Sequence, residues 1–414
     1  MDKWNILNDE VKGSFHFFND FTNFDKTSKG YGLTSDHSLR PNIASIASTG
    51  FALTAWVIGH RRKWLSDEEA HQRVKGTLIT LRDHAAHYKG FFAHFLDRET
   101  GQRHRLCEYS TIDTALCVNG IITADQYFKN EEIHTLAKSI IDRIDWAFIV
   151  FEKDNKTLFR MAYNPDPKGA YVNSNNPGYI FQWDMAAEQK MMYFLAADRL
   201  PLELAKELYD GFRKETYTYK GHKVIVNPSG NLFAYHFAEA WFDSERFSDP
   251  NGIDWFENTK QAALANRQFC LDHQKEYPSY QKLWGLSASD GPKGYIVCGA
   301  LPSEHTPFHN GTISIYSALS SFPYTPKESE AMMFELYFNH PQSWGKYGFI
   351  DALNLDIPTP WYSRKIIGID KGCSMIMIEN HMNRFIWDLY HSSPIIKKAM
   401  IDLGFQERKP HERD

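Results

Sequence analysis

The chain has 414 residues, 43% of them hydrophobic and 23% charged, with a formal net charge of −5. That balance is ordinary for a globular protein, and the negative sign excludes nucleic-acid binding driven by bulk positive charge. No apolar run is long enough for a transmembrane helix, and the five scattered cysteines lack the spacing of a disulfide framework or a zinc site.

The opening residues, MDKWNILNDE, lack the charged stretch and apolar core of a signal peptide. The chain as it stands is therefore expected in the cytoplasm, or in the periplasm or outside the cell if a leader has been trimmed. Beyond about residue 40, helical periodicity predicts pairs of helices. Residues 44–64 precede 66–85, which Ser66 opens with Glu69 as a capping box. Residues 110–128 precede 130–150, and 183–199 precede a helix begun by Pro201. Then come 233–246 with 254–277, 310–321 with 326–339, and 373–390 with 394–403.

The first helix of a pair is apolar and rich in small residues (ASIASTGFALTAW), whereas the second is charged (SDEEAHQRVKGTLITLRDH). Inner and outer rings differ in this way. The expected fold is all-α, an (α/α)6 barrel of six helical hairpins; an α-solenoid is the alternative, with a tighter repeat and shorter loops. No linker divides residues 1–414, so they read as a single catalytic domain with residues 1–40 packing on the barrel.

Aromatic residues make up 15% of the chain. Such an excess builds large cores, and it also suits a sugar cleft, where flat rings stack on pyranose C–H faces. The stretches between pairs are long and rich in Gly, Pro and aromatics: NPDPKGAYVNSNNPGY, WGLSASDGPKGYIVCGALPSEH and SWGKYGFIDALNLDIPTPWYSRKIIGIDKG. Loops of that length inside a compact domain are usually functional.

Carboxylates recur near the starts of the first helices. Stepping by three and four from Met185 gives Glu188, Met192 and Leu195, which puts Glu188 in an apolar helical stripe with Asp184 as the better cap. A charge there costs several kcal/mol unless it is paired or neutralised, roughly. Asp113 follows Ser110 by three and reads either as a capping partner or as a site residue. Asp290, in SASDGP, reads as a turn former or a sugar contact; Asp351 and Asp370 fall in the longest aromatic loop. Glu379 fits an ion pair with Arg384 or Lys371 as well as a site. His236, His309 and His381 lack metal-ligand spacing, and no nucleophile elbow, Walker loop or dinucleotide motif is present, so neither metal nor cofactor is expected. Carboxylates among aromatics remain, which is the chemistry of glycoside hydrolysis.

Five stretches, in order, resemble glycoside hydrolase family 144, the inverting β-1,2-glucanases, and its clan relatives: GLTSDHS…ASIASTGFALTAWVIGHRRKW, HFLDRETGQR…EYSTIDTAL, LWGLSASDGP, SWGKYGFIDALN and GIDKG…MIENH. The resemblance spans roughly residues 30–390. It implies an (α/α)6 barrel, an endo-type, anomer-inverting hydrolase of β-1,2-linked glucan, Glu188 as general acid and Asp370 as the base, with Asp113 as second choice. The β-1,2 linkage rests on the resemblance alone. The chain departs from the family before the acid, where Trp183-Asp-Met-Ala-Ala-Glu188 lacks a Tyr and an Asn, at Glu239 in place of a histidine, and at Lys371 in GIDKG.

On this reading Glu188 is buried so that it stays protonated near neutral pH, and the base activates a water on the opposite face of the sugar. Trp183, Trp284, Trp344 and Tyr347 are the expected stacking rings. Asp290, Asp351, His236, Glu239, Arg61, Arg105 and Glu108 are the expected polar contacts to a β-glucan oligo- or polysaccharide. Two other functions fit the same barrel: a sugar 2-epimerase using a histidine pair such as His236 and His381, and a glucan-binding protein without turnover.

Overall fold

A computed structural model of the chain describes residues 2–173 and 177–408; residues 174–176, inside the first of the long loops, and residues 409–414 lie outside the described residues. The expected pairs are present with shifted ends. α1 (Lys3–Phe21) precedes α2 (Ile46–Arg61) with α3 (Asp67–Asp83), then α4 (Thr111–Phe128) with α5 (Glu131–Asp142). α6 (Lys190–Ala197) is followed by α7 (Leu202–Gly211), and α8 (Phe233–Glu239) by α9 (Trp255–Asp272). α10 (Ile315–Ser320), α11 (Pro326–Asn339), α12 (Gly368–Asn383), α13 (Phe385–His391) and α14 (Pro394–Leu403) complete the series. The Ser66–Glu69 capping box forms as expected.

The first helices touch in sequence: α2 packs on α4, α4 on α6, α6 on α8, α8 on α10, α10 on α12, and α12 again on α2. α2 and α4 are apolar on all sides because helices cover them all round. Their contact depends on two glycines. A Cβ on Gly120 would lie 2.0 Å from the Gly50 carbonyl oxygen, and one on Gly50 would meet the Cys117 backbone at 2.4 Å.

α1 packs on α12 and α2. Its buried Glu10 accepts from Lys371 at 2.6 Å and from the Phe349 N–H at 2.6 Å. Lys371, one of the positions where the chain departs from the family it resembles, therefore anchors α1.

Sequence periodicity missed an antiparallel sheet between α4 and α6. Lys156–Asn164 pairs with Val150–Lys153, Tyr109–Ser110 and Gly178–Gln182. This sheet changes the surroundings of Glu188. Trp183 still donates to the Phe159 carbonyl, and Asp184 accepts from the Arg213 N–H through its own carbonyl. The Gln189 side chain accepts from the Ala187 N–H and donates to the Met185 carbonyl. These local bonds replace a helical ladder, so the helix expected from residue 183 begins only at Lys190.

Candidate active site

The carboxylates gather at the N-terminal ends of the first helices. Asp113 and Asp370 occupy the first turns of α4 and α12, and Glu188 lies in the turn before α6. The Asp351 carbonyl accepts from the N–H of Ile315, the first residue of α10. Asp36 is brought in because its carbonyl accepts from the Gly368 N–H and His37 bridges Ile367, docking the 36–37 segment on the start of α12. Orphan N–H groups and the helix dipole make such ends favourable for negative charge.

Among the described residues no cation pairs with Glu188. Burial pushes its carboxyl up to about 7, and the nearby charge of Asp113 adds to this. Asp113 is bonded to the Ser110 hydroxyl and lies 3.7 Å from Nε2 of His94, whose Nδ1 is 2.6 Å from Glu108. Burial opposes the charge of His94, but Asp113, Glu108 and Asp36 outweigh it and raise the imidazole to about 9. At neutral pH His94 is a cation between carboxylates.

A second group forms around Asp370. Burial and then the charge of Asp351 raise its carboxyl well above the usual range. Neither of its oxygens has a hydrogen-bond partner among the described residues. Burial raises Asp351 to about 6, although it accepts from the Asp290 N–H at 2.8 Å. A charge on either of these buried carboxyls disfavours a charge on the other, so the two do not both ionise near neutral pH. Asp290 supports this pair from behind, its oxygens taken by Lys365 at 2.7 Å and the Ser363 hydroxyl at 2.7 Å. Tyr295 leans over the group. Its ring is half-exposed, while enclosure of the phenol and the charges of Asp370, Asp351, Asp36 and Glu188 drive its pKa far up.

Of the residues expected at the site, Glu188, Asp113, Asp351, Asp370 and Glu108 are brought together, and Arg105 lines an adjoining cavity. Others are placed elsewhere. Asp290 has its two oxygens bonded to Ser363 and Lys365 and its N–H on Asp351. Trp284 is a core residue with its indole N–H on the Glu328 carbonyl, and Trp183 is too enclosed to offer a stacking face, its indole N–H on Thr111. Trp344 packs edge-on against Tyr337 and Phe349, and Tyr347 donates to Asp20 of α1. Arg61, at the far end of α2, bonds Asn383 and covers Phe385.

His236 is fully buried, bonded to Ser321 and pushed down to about 3 by burial, while His381 stacks on Trp4 of α1. The histidine pair of an epimerase is not assembled. Glu379 is an ion-pair partner of Arg62, and Glu239 is one for the buried Lys190 at 2.8 Å. Sequence reasoning passed over Asp36, His94, Tyr295 and Lys365, although Asp36 and His94 stand inside GLTSDHS and HFLDRETGQR.

Residues 180–394 match the profile of a protein family described as "Putative glucoamylase". The chain belongs to that family. The match agrees with the resemblance to glycoside hydrolase family 144. An exo-β-1,2-glucooligosaccharide sophorohydrolase of Parabacteroides distasonis is 28% identical over 398 residues, covering 87% of this chain and 53% of that protein. The chain thus spans about half the length of that relative. Among solved structures, an endo-β-1,2-glucanase from Chitinophaga pinensis, in complex with sophorotriose and glucose, superposes with a TM-score of 0.84. It is 26% identical and covers 98% of this chain and 99% of its own. A β-1,2-glucanase from P. distasonis gives 0.82 at 25% identity, over 97% of this chain and 60% of its own.

Proposed function

We propose that this chain is a single-domain (α/α)6 barrel that hydrolyses β-1,2-linked glucan, endo-type and with inversion. The order of contacts from α2 round to α12 and back supports the barrel, and the relatives acting on β-1,2-glucans support the substrate. The observation that carries the chemistry is Glu188, its carboxyl raised to about 7 by desolvation, close to the other carboxyls at the helix ends.

Glu188 gives its proton to the glycosidic oxygen as the C1–O bond breaks. The Asp351–Asp370 pair, with one proton between them, accepts a proton from the water that bonds to C1 from the other face. Glu188 ends ionised and the pair ends with two protons; exchange with solvent resets both. Asp113, held by Ser110 and His94, contributes the negative charge that helps Glu188 keep its proton.

The test is incubation with linear β-1,2-glucan, laminarin, β-1,3/1,4-glucan and an α-1,4-glucan, with products sized and their anomers followed by NMR. The expected result is cleavage of the β-1,2-glucan alone, to mixed short oligosaccharides that appear first as the α-anomer. Release of sophorose only would replace endo with exo attack. Cleavage of the α-1,4-glucan instead would overturn the substrate.

The pH profile carries a sharper expectation. The proton on Glu188 is lost as pH rises through about 7, so kcat/KM should fall on the alkaline side of that value. Asp113→Asn removes a charge that raises Glu188, and the alkaline limb should move to lower pH. Because burial is the larger cause, the shift should be less than about one unit. A limb that stays in place would detach Asp113 from Glu188.

A further inference from the structure

Beside the carboxylates lies a second cavity of about 540 Å³ that the hydrolytic chemistry does not use. Its lining is largely apolar and carries Asp36 and Glu108 together with Arg40, Arg105, Lys168 and the exposed ring of Tyr171. All three cations are exposed, and none makes a side-chain hydrogen bond or ion pair among the described residues, although Arg40 stands close enough to Asp36 to work against the rise that burial gives its carboxyl pKa. Their neighbours behave differently: Arg103 bonds Asn164 and Asp166, and Lys365 bonds Asp290. Arg105 is also held at a φ of 52°, a left-handed conformation usually given to glycine or asparagine. His37 adds no charge, because burial and then the cations Lys365 and Arg40 push its imidazole down to about 4.

Three exposed cations on one cavity, against the two carboxylates Asp36 and Glu108, leave its outer rim with positive charge that an anionic group can neutralise. The chain as a whole is net negative, so this concentration is local. Arginine forks and an ammonium are the groups that bind phosphate and carboxylate oxygens. The cavity shares Asp36 and Glu108 with the site, so on the hydrolase reading a glucan lying across the carboxylates would carry a neighbouring sugar residue toward it.

We propose that this cavity is a subsite for an anionic group carried by the glucan, held by Arg40, Arg105 and Lys168. The proposal rests on the hydrolase reading and adds a substrate class to it, a β-1,2-glucan with acidic substituents.

The experiment compares three β-1,2-gluco-oligosaccharides of one length: neutral, 6-O-phosphorylated and 6-O-carboxymethylated. Wild type should show kcat/KM about tenfold higher for both acidic forms, an advantage that shrinks as salt is raised to about 1 M. The advantage should collapse toward one in Arg40→Gln/Lys168→Gln, and fall part-way in Lys168→Gln alone. An advantage for the phosphorylated form only would support the subsite as a phosphate site. A ratio at or below one in the wild type, or an undiminished ratio in the variants, would overturn it.

If no oligosaccharide is cleaved, the hydrolase reading has failed, and calorimetry with the same three compounds still decides the subsite. Tighter binding of the acidic forms supports it, and equal or absent binding removes it.

Discussion

Glu188→Gln should lower kcat on β-1,2-glucan by about 10²-fold or more, because an amide keeps the shape of the protonated acid and has no proton to give. The same substitution should raise stability at alkaline pH. A carboxyl whose folded pKa stands near 7, against 4.5 for an ordinary glutamate, costs nothing where both states are protonated, below about pH 4.5. As pH rises from there to 7 the unfolded chain gives up its proton more readily, and native stability falls by at most about 3 kcal/mol. Glutamine removes that loss. The variant should therefore melt above the wild type at pH 8 and level with it at pH 4. A variant that melts lower at pH 8 and retains turnover would make Glu188 a structural residue.

That Glu188 would be largely enclosed was legible in the sequence, although it keeps some accessible surface; its conformation was not. Met191 and Met192 are buried beside it, as the apolar spacing required, yet the glutamate sits in a turn. The helix is displaced by the Gly178–Gln182 strand and by Gln189 bonding back to its own loop, which are tertiary and side-chain effects that periodicity does not register. Asp370 shows the reverse error. Periodicity extends the aromatic loop to residue 373, whereas α12 begins at Gly368 and holds the aspartate in its first turn.

The pairing of helices was readable because first helices such as α2 and α4 are apolar on every side and their partners are charged. The stacking rings were not. A tryptophan beside a motif reads the same whether its indole faces a sugar, like the rings expected here, or a carbonyl, as Trp284 does. His94 was hidden for a related reason: its charge comes from Glu108 and Asp113, which fold onto it from another element.

The largest stability effect is expected at the first residue of α6. Lys190 is buried, with its ammonium 4.0 Å over the Trp255 ring and 2.8 Å from Glu239. Burial lowers its pKa, and Glu239 works against that. Glu239 also accepts from Ser244 at 2.6 Å, Tyr324 at 2.8 Å and Thr259 at 3.2 Å. The network ties the start of α6 to α8, α9 and the α10–α11 turn, directly behind the Glu188 loop.

Lys190→Met keeps the volume and removes the only cation paired with Glu239 among the described residues. A buried carboxylate left with neutral donors alone should cost about 3–5 kcal/mol. Adding Glu239→Gln removes the stranded charge, so the double variant should recover a good part of the loss, measured as a coupling energy of about 1–3 kcal/mol in a denaturation cycle. If the two losses simply add, Lys190 contributes packing against Trp255, and the ion pair is not what holds this side of the site in place.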